Sequence, residues 1–229
     1  MIIEIQSEIK KRNITRLCHF VHTNKLLHIL SSEEGIKAVD FIDEDILVQN
    51  DTDRYDGKTD YVNCSIQYPN YWYYKRVKDN NHIFPDWAII FIDPIVATLE
   101  TTQFCPVNAA KRYGAYIKKG YEGFLGIFAH NVDGFSRNEN MFSNIPTNDQ
   151  AEVLVYSNIP RKFITGVAFK DESIAKQKIA EWKTLEIPNI DVYVAPELFE
   201  RVMSEKIHRG MVPSEKRYEE TSYEKSTIN

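Results

Sequence analysis

The loops that grip phosphate in the common nucleotide-binding folds are missing from this chain. Its nine glycines form neither a GxxxxGK[ST] loop nor a GxGxxG turn, so P-loop phosphoryl transfer and Rossmann hydride chemistry are poor candidates. HExxH and the GxSxG nucleophile elbow are also absent, which argues against zinc hydrolysis and serine-hydrolase chemistry. Cysteine is scarce: Cys18, Cys64 and Cys105 stand far apart with no CxxC spacing. That excludes a disulfide framework and a Cys/His metal site, and reduced thiols in a cytoplasmic protein are expected. No apolar run approaches the roughly 18 residues of a membrane span, and the early Glu4 leaves Met1–Ile5 unlike a signal peptide. A net charge of -5 excludes a nucleic-acid binder held by overall charge alone.

The chain does have the means to fold. Of its 229 residues, 43% are hydrophobic and 12% aromatic, with 13 tyrosines against three tryptophans, enough for one large core. We expect a single domain over residues 1–200, with residues 201–229 forming the end of a helix and a weakly ordered tail. A monomer is expected. The pattern predicts an amphipathic helix over residues 3–12, a strand over Ile14–His22, and a helix capped by Thr23 or Asn24 and closed at Gly35. Further strands are predicted at Tyr61–Ile66, Trp87–Ile92, Thr101–Cys105, Glu152–Tyr156, Phe163–Phe169 and Asp191–Val194. Helices are predicted after Pro69, at about 171–185 and after Pro196, while Gly114–Asp149 reads as one long functional loop. The class is α+β.

One segment stands out. Asn148-Asp149-Gln150-Ala151-Glu152 runs from turn-forming residues straight onto an apolar strand. Strand side chains two apart share a face, so Gln150 and Glu152 are expected to look into one site. Other polar residues cluster at predicted strand ends: His22, Arg54, Asn63 and Ser65. Such a set suits cleavage of an N-glycosidic bond, with a histidine on a ribose, an arginine on a pyrophosphate and a carboxylate beside the reacting sugar. Each residue also has a plain structural reading, as a cap, a surface charge or a solvent-facing strand position. The residues alone stop at an α+β domain with a carboxylate in a cleft.

The string Val21-His22-Thr23-Asn24-Lys25-Leu26-Leu27-His28-Ile29-Leu30, with Gly35, resembles the opening of the DarT family of DNA ADP-ribosyltransferase toxins. Asp60–Ser65, Thr102–Ala110 and Gln150–Val155 are similar, in order, to that family's second strand, Asn-Ala-Ala element and catalytic Glu strand. The resemblance implies an ADP-ribosyltransferase fold, a split mixed β core of two small sheets with an NAD cleft between them. It implies transfer of ADP-ribose from NAD, with no metal, to a base in single-stranded DNA. Glu152 and Arg54 are then the catalytic pair. His22, Asn24, Arg54, Ser65 and Tyr74 face NAD, and Gln150, Asn148, Lys111 and Arg112 face the DNA. The Cys105-Pro106-Val107-Asn108-Ala109-Ala110 element looks like the guanine-associated branch rather than the thymine one. A macrodomain antitoxin of DarG type is the implied partner. Protein ADP-ribosylation, a tRNA 2′-phosphotransferase and a non-catalytic NAD- or DNA-binding module are the competing readings.

Overall fold

The computed structural model describes residues 2–42, 56–80 and 86–219. Helix α1 (Ile2–Arg12) leads into β1 (Leu17–His22), followed by a 3-10 turn at Thr23–Lys25 and α2 (Leu26–Ser31). Neither Thr23 nor Asn24 caps that helix, because the turn leads into it directly and its N-cap residue is Lys25, without a side-chain cap bond. Strands β2 (Ile36–Lys37) and β3 (Tyr61–Ile66) precede α3 (Tyr71–Asn80), whose first turn is closed by Asn70 Oδ1 accepting from the Tyr73 amide at 3.0 Å. Then come β4 (Trp87–Ile92), β5 (Gln103–Cys105), β6 (Lys118–Lys119), α4 (Gly120–Gly126) and the short hairpin β7 (Asn131–Val132) and β8 (Phe135–Ser136). The chain continues through β9 (Glu152–Tyr156), β10 (Asn158–Ile159), β11 (Ile164–Phe169), α5 (Glu172–Thr184) and β12 (Asp191–Val194). It ends with α6 (Arg201–His208) and β13 (Lys216–Arg217).

Among the described residues, nine strands form one sheet in the order β13-β12-β11-β4-β1-β3-β9-β5-β6. This corrects the expectation of two small sheets. The two halves are joined where β1 and β3 pair at Leu17↔Ile66 and Cys18↔Ser65. Past those rungs β1 stays paired with β4 as far as His22↔Trp87, while β3 stays paired with β9 as far as Tyr61↔Tyr156. The sheet is therefore continuous but pinched, and its seam opens toward His22 and Tyr61.

Strand alternation sorts the side chains onto two faces. One face, with Leu17, Val21, Val62, Cys64, Ile66, Ile90, Ile92, Val153 and Val155, packs with α1, α2, α4 and α5 in the main core. The other face carries two separate clusters. Cys18, Phe20, Trp87, Ile89 and Phe91 are covered by Tyr74 and Val77 of α3 and by Met203 and Ile207 of α6. Tyr61, Cys105 and Leu154 form the second cluster with Val107, Ala109 and Val132.

Two further expectations change. The Gly114–Asp149 segment is not one loop, since β6, α4 and the β7–β8 hairpin lie within it. Within the described residues 211–219 the chain is structured rather than weakly ordered. Strand β13 pairs antiparallel with β12, and Glu215 takes two hydrogen bonds from the Arg16 guanidinium, at 2.6 and 2.5 Å. Arg16 also lies over the Phe91 ring, 3.9 Å from its centroid.

Candidate active site

The site is assembled at the pinched seam. Glu152 opens β9 opposite Cys105 of β5 and is buried, with 8% of its surface exposed. A buried carboxylate is costly unless its oxygens accept hydrogen bonds. Here two amides meet that need: Asn63 Nδ2 donates to Oε2 at 2.6 Å, and Asn108 Nδ2 donates to Oε1 at 3.2 Å. Asn63 reaches diagonally across the β3–β9 ladder, where register puts it opposite Leu154. Asn108 is held by its own turn, its Oδ1 accepting from the Ala110 amide at 3.0 Å. The buried Asp56 carboxylate lies 3.4 Å from the same Asn63 Nδ2. One amide thus stands between two carboxylates.

The seam is spread by a side chain. On β1, His19 Nδ1 donates to the Asn63 carbonyl at 2.9 Å, one residue past the last β1–β3 rung. That imidazole stands in for a ladder bond and fixes the backbone of the residue whose amide holds Glu152. At the far end of β1, His22 is fully enclosed, with its ring centroid 3.7 Å from that of Trp87. Lys25 follows in the 3-10 turn, where burial pushes its ammonium down to about 8.

Among the predicted site residues, Glu152 lies buried on β9 beside the seam, and His22 lies buried at the β1 end where the seam opens. Asn24 is exposed on the turn beyond. Gln150 departs from the expectation, because β9 begins only at Glu152 and the same-face rule does not reach back to residue 150. Gln150 sits in a turn with its amide donating to the buried Asn148 Oδ1 at 2.9 Å. Ser65 lies at the closed end of the seam, its hydroxyl turned to the Cys18 carbonyl at 3.4 Å. Tyr74 is a core residue rather than a cleft residue. Its ring stacks on Phe20 at 4.8 Å and meets Trp87 and Phe199 edge-on, and burial pushes its hydroxyl up to about 12. Lys111 is ion-paired with Asp133, and Arg112 is exposed beside the Tyr116 ring. Arg54 lies outside the described residues.

Asn63 and Asn108 belong to motifs marked in the sequence, which did not assign them to Glu152, and Asp56 carried no sequence signal. The signal available for Asn63 was its spacing from Ser65 on one strand face. Lys25 and His19 carried no signal beyond adjacency to His22. The three thiols are free and buried, and burial pushes Cys18 and Cys105 up to about 12, so none is a ready nucleophile. No group of three or more potential metal ligands occurs among the described residues. None of the described helices is long and apolar enough to cross a membrane.

Solved structures share this fold. Thermus sp. 2.9 DarT in complex with ADP-ribosylated ssDNA aligns with a TM-score of 0.59 at 13% identity, over 82% of this chain and 97% of that one. The same protein in complex with NAD+ gives 0.58 at 14% identity, over 81% and 98%. Thermosipho africanus DarTG in complex with ADP-ribose gives 0.54 at 16% identity, and there the match spans 81% of this chain but only 51% of that one. No curated protein matches the chain significantly. The fold is therefore the mixed α+β fold of DarT-type ADP-ribosyltransferases. The chain itself belongs to the DarT family, since the family model described as "ssDNA thymidine ADP-ribosyltransferase, DarT" matches residues 18–200.

Proposed function

We propose that this protein transfers ADP-ribose from NAD to a base of single-stranded DNA, with Glu152 as the catalytic carboxylate. The observation that carries the reading is the buried Glu152 side chain, held by Asn63 and Asn108 at the mouth of the only partly paired β1–β3 seam. The residues at this seam fit an NAD-sized co-substrate in kind. A carboxylate suits the reacting ribose, and amide, histidine and lysine groups suit ribose hydroxyls and phosphates. NAD supplies the ADP-ribosyl group and, in nicotinamide, a leaving group that departs with the electron pair of the broken glycosidic bond. Glu152 offsets the positive charge that develops on the ribose and accepts the proton released as a base nitrogen bonds to the sugar carbon. Asn63 and Asn108 keep the carboxylate oxygens oriented through both events. His22, Asn24 and Lys25 supply the polar groups of the β1 side, and Arg54 keeps the phosphate-binding or base-activating role implied by the family resemblance.

Guanine is the base we assign, on the Cys105–Ala110 element that carries Asn108, although the family description names thymidine. The biological setting we infer is a toxin whose adducts block replication and whose partner is a macrodomain antitoxin of DarG type. The test is incubation with NAD and oligonucleotides that each contain a single reactive base type, read by mass spectrometry. A gain of one ADP-ribose on guanine-containing strands, abolished by Glu152→Ala in a variant with an unchanged melting curve, is expected. Undiminished transfer by that variant would remove Glu152 from the chemistry, and transfer to thymine alone would overturn the base assignment.

A further inference from the structure

A turn beside the carboxylate holds an unusual backbone for no evident packing reason. Arg112 and Tyr113 both lie in the left-handed region, at φ 49 and 56, and Gly114 follows at φ 83. L residues visit this region at a cost and rarely two in succession. Burial does not account for it, because Tyr113 is 83% exposed, more than any other large hydrophobic among the described residues.

The turn is tied on both sides to the groups that hold Glu152. The Tyr113 amide donates to the Ala110 carbonyl at 3.1 Å, and Ala110 is in turn bonded to Asn108, which holds Oε1 of Glu152. On the other side Gly114 presses against the Asp56 carbonyl, so closely that a Cβ there would sit 3.0 Å from that oxygen. Asp56 adjoins Asn63, which holds Oε2. The strained turn therefore carries a large flat ring at the rim of the site. Arg112 turns toward the Tyr116 ring, 5.8 Å from its centroid, and leaves the Tyr113 face uncovered. Lys119 on the edge strand pairs with Gln103, which lies on the Glu152 face of the sheet, and is exposed.

We propose that Tyr113 is a stacking platform for the nucleobase next to the target base in a single-stranded oligonucleotide, with Arg112 and Lys119 facing its phosphates. This rests on the function proposed above. Stacking on an aromatic ring tolerates any base, because every base has a π-face, and a rigid ring loses little entropy when it engages. An acidic protein can bind a short strand this way through local cations rather than overall charge.

The test is steady-state kinetics on a short oligonucleotide with one target base at saturating NAD. Tyr113→Ala should raise KM for the oligonucleotide about ten- to hundredfold, the worth of one base–aromatic stack, with kcat nearly unchanged. Tyr113→Trp should retain the wild-type KM. Replacing the flanking nucleotide by an abasic residue should impair the wild type equally and add nothing to Tyr113→Ala. A KM within twofold of wild type, or losses that multiply, would overturn the platform. Fluorescence anisotropy with a labelled oligonucleotide separates the two readings. Weaker binding by Tyr113→Ala, with no transfer by the wild type, would uphold the platform and overturn the transferase reading. Equal binding by both proteins would overturn the platform whatever the enzymology shows.

Discussion

The same sheet face is finished in opposite ways on the two sides of the β1–β3 seam. On the β4 side, Phe20, Tyr74, Trp87 and Phe199 make an aromatic cluster sealed by α3 and α6. On the β9 side, the corresponding positions carry Tyr61, Asn63, Gln103 and Glu152, linked by side-chain hydrogen bonds. Both sides belong to one sheet, joined by the rungs at Leu17↔Ile66 and Cys18↔Ser65, and sheet membership alone does not create the difference. It is created by which side chains occupy the inward positions and by which helices cover them. A dry cluster stabilises the fold by area removed from water, whereas a polar cluster has a net value near that of its hydrogen bonds and is justified by what it holds in place.

That contrast is broken most severely on the sealed side. Tyr74→Ala should cost about 3 kcal/mol or more, since it opens a cavity among three aromatic rings, and chemical denaturation measures the loss directly. Tyr74→Phe keeps the ring, and KM for NAD should stay at the wild-type value. A raised KM in that variant would return Tyr74 to the cleft and reject its place in the core.

The open side should respond in activity more than in stability. Asn63→Ala frees Glu152 Oε2 from its shortest bond and lets the carboxylate rotate. Misplacing a reacting group by about 1 Å can cost about a hundredfold in rate, and a fall of that order in kcat is expected, with KM for NAD little changed and a stability loss of about 1–3 kcal/mol from the buried carboxylate oxygen left without that donor. A kcat within threefold of wild type would show that the remaining contacts of Glu152, Asn108 among them, orient the carboxylate without Asn63.

What the sequence disclosed of this contrast follows from the strength of local patterns. WAIIFI is apolar throughout and β4 is buried throughout, and the alternation of YVNCSI marks β3 to the residue. Helix α4 was illegible because Gly120, Gly123 and Gly126 all argue against a helix. Yet Gly123 is required there, since a Cβ would lie 2.8 Å from the Lys118 carbonyl. Strand β13 was illegible because it is short, exposed and polar, and is held by an edge ladder and by the distant Arg16–Glu215 pair. The joining of two sheets into one depends on the two rungs at Leu17↔Ile66 and Cys18↔Ser65, which no periodicity encodes. Within the site, Glu152 was legible from its entry onto a buried strand. The grip of Asn63 and Asn108 was not, because it depends on cross-strand register and on a turn.

The two regions are also physically linked, and the link should be sensitive to pH. Asp149, three residues before Glu152, accepts a hydrogen bond from Ser204 of α6 and lies 2.5 Å from His208 Nε2 at the end of that helix. The helix that seals the aromatic side therefore grips the loop that delivers the carboxylate on the polar side. The Asp149 hydrogen bond raises His208 above its ordinary 6.5, while burial and the nearby Arg137 oppose the rise. A group whose folded value is raised contributes stability that is fully present below its unfolded value, and that contribution fades as pH climbs through the folded one. The clamp should thus be tightest in mild acid. His208→Gln should lower stability by about 1.5 kcal/mol or more at about pH 6, the scale of one charge-assisted hydrogen bond. By about pH 9 the gap between variant and wild type should have narrowed, because the wild-type imidazole has then lost its proton. Paired thermal melts at the two pH values measure that gap. A gap of the same size at both would mean that the imidazole acts by packing rather than by charge, and that the link between the sealed and open sides does not titrate.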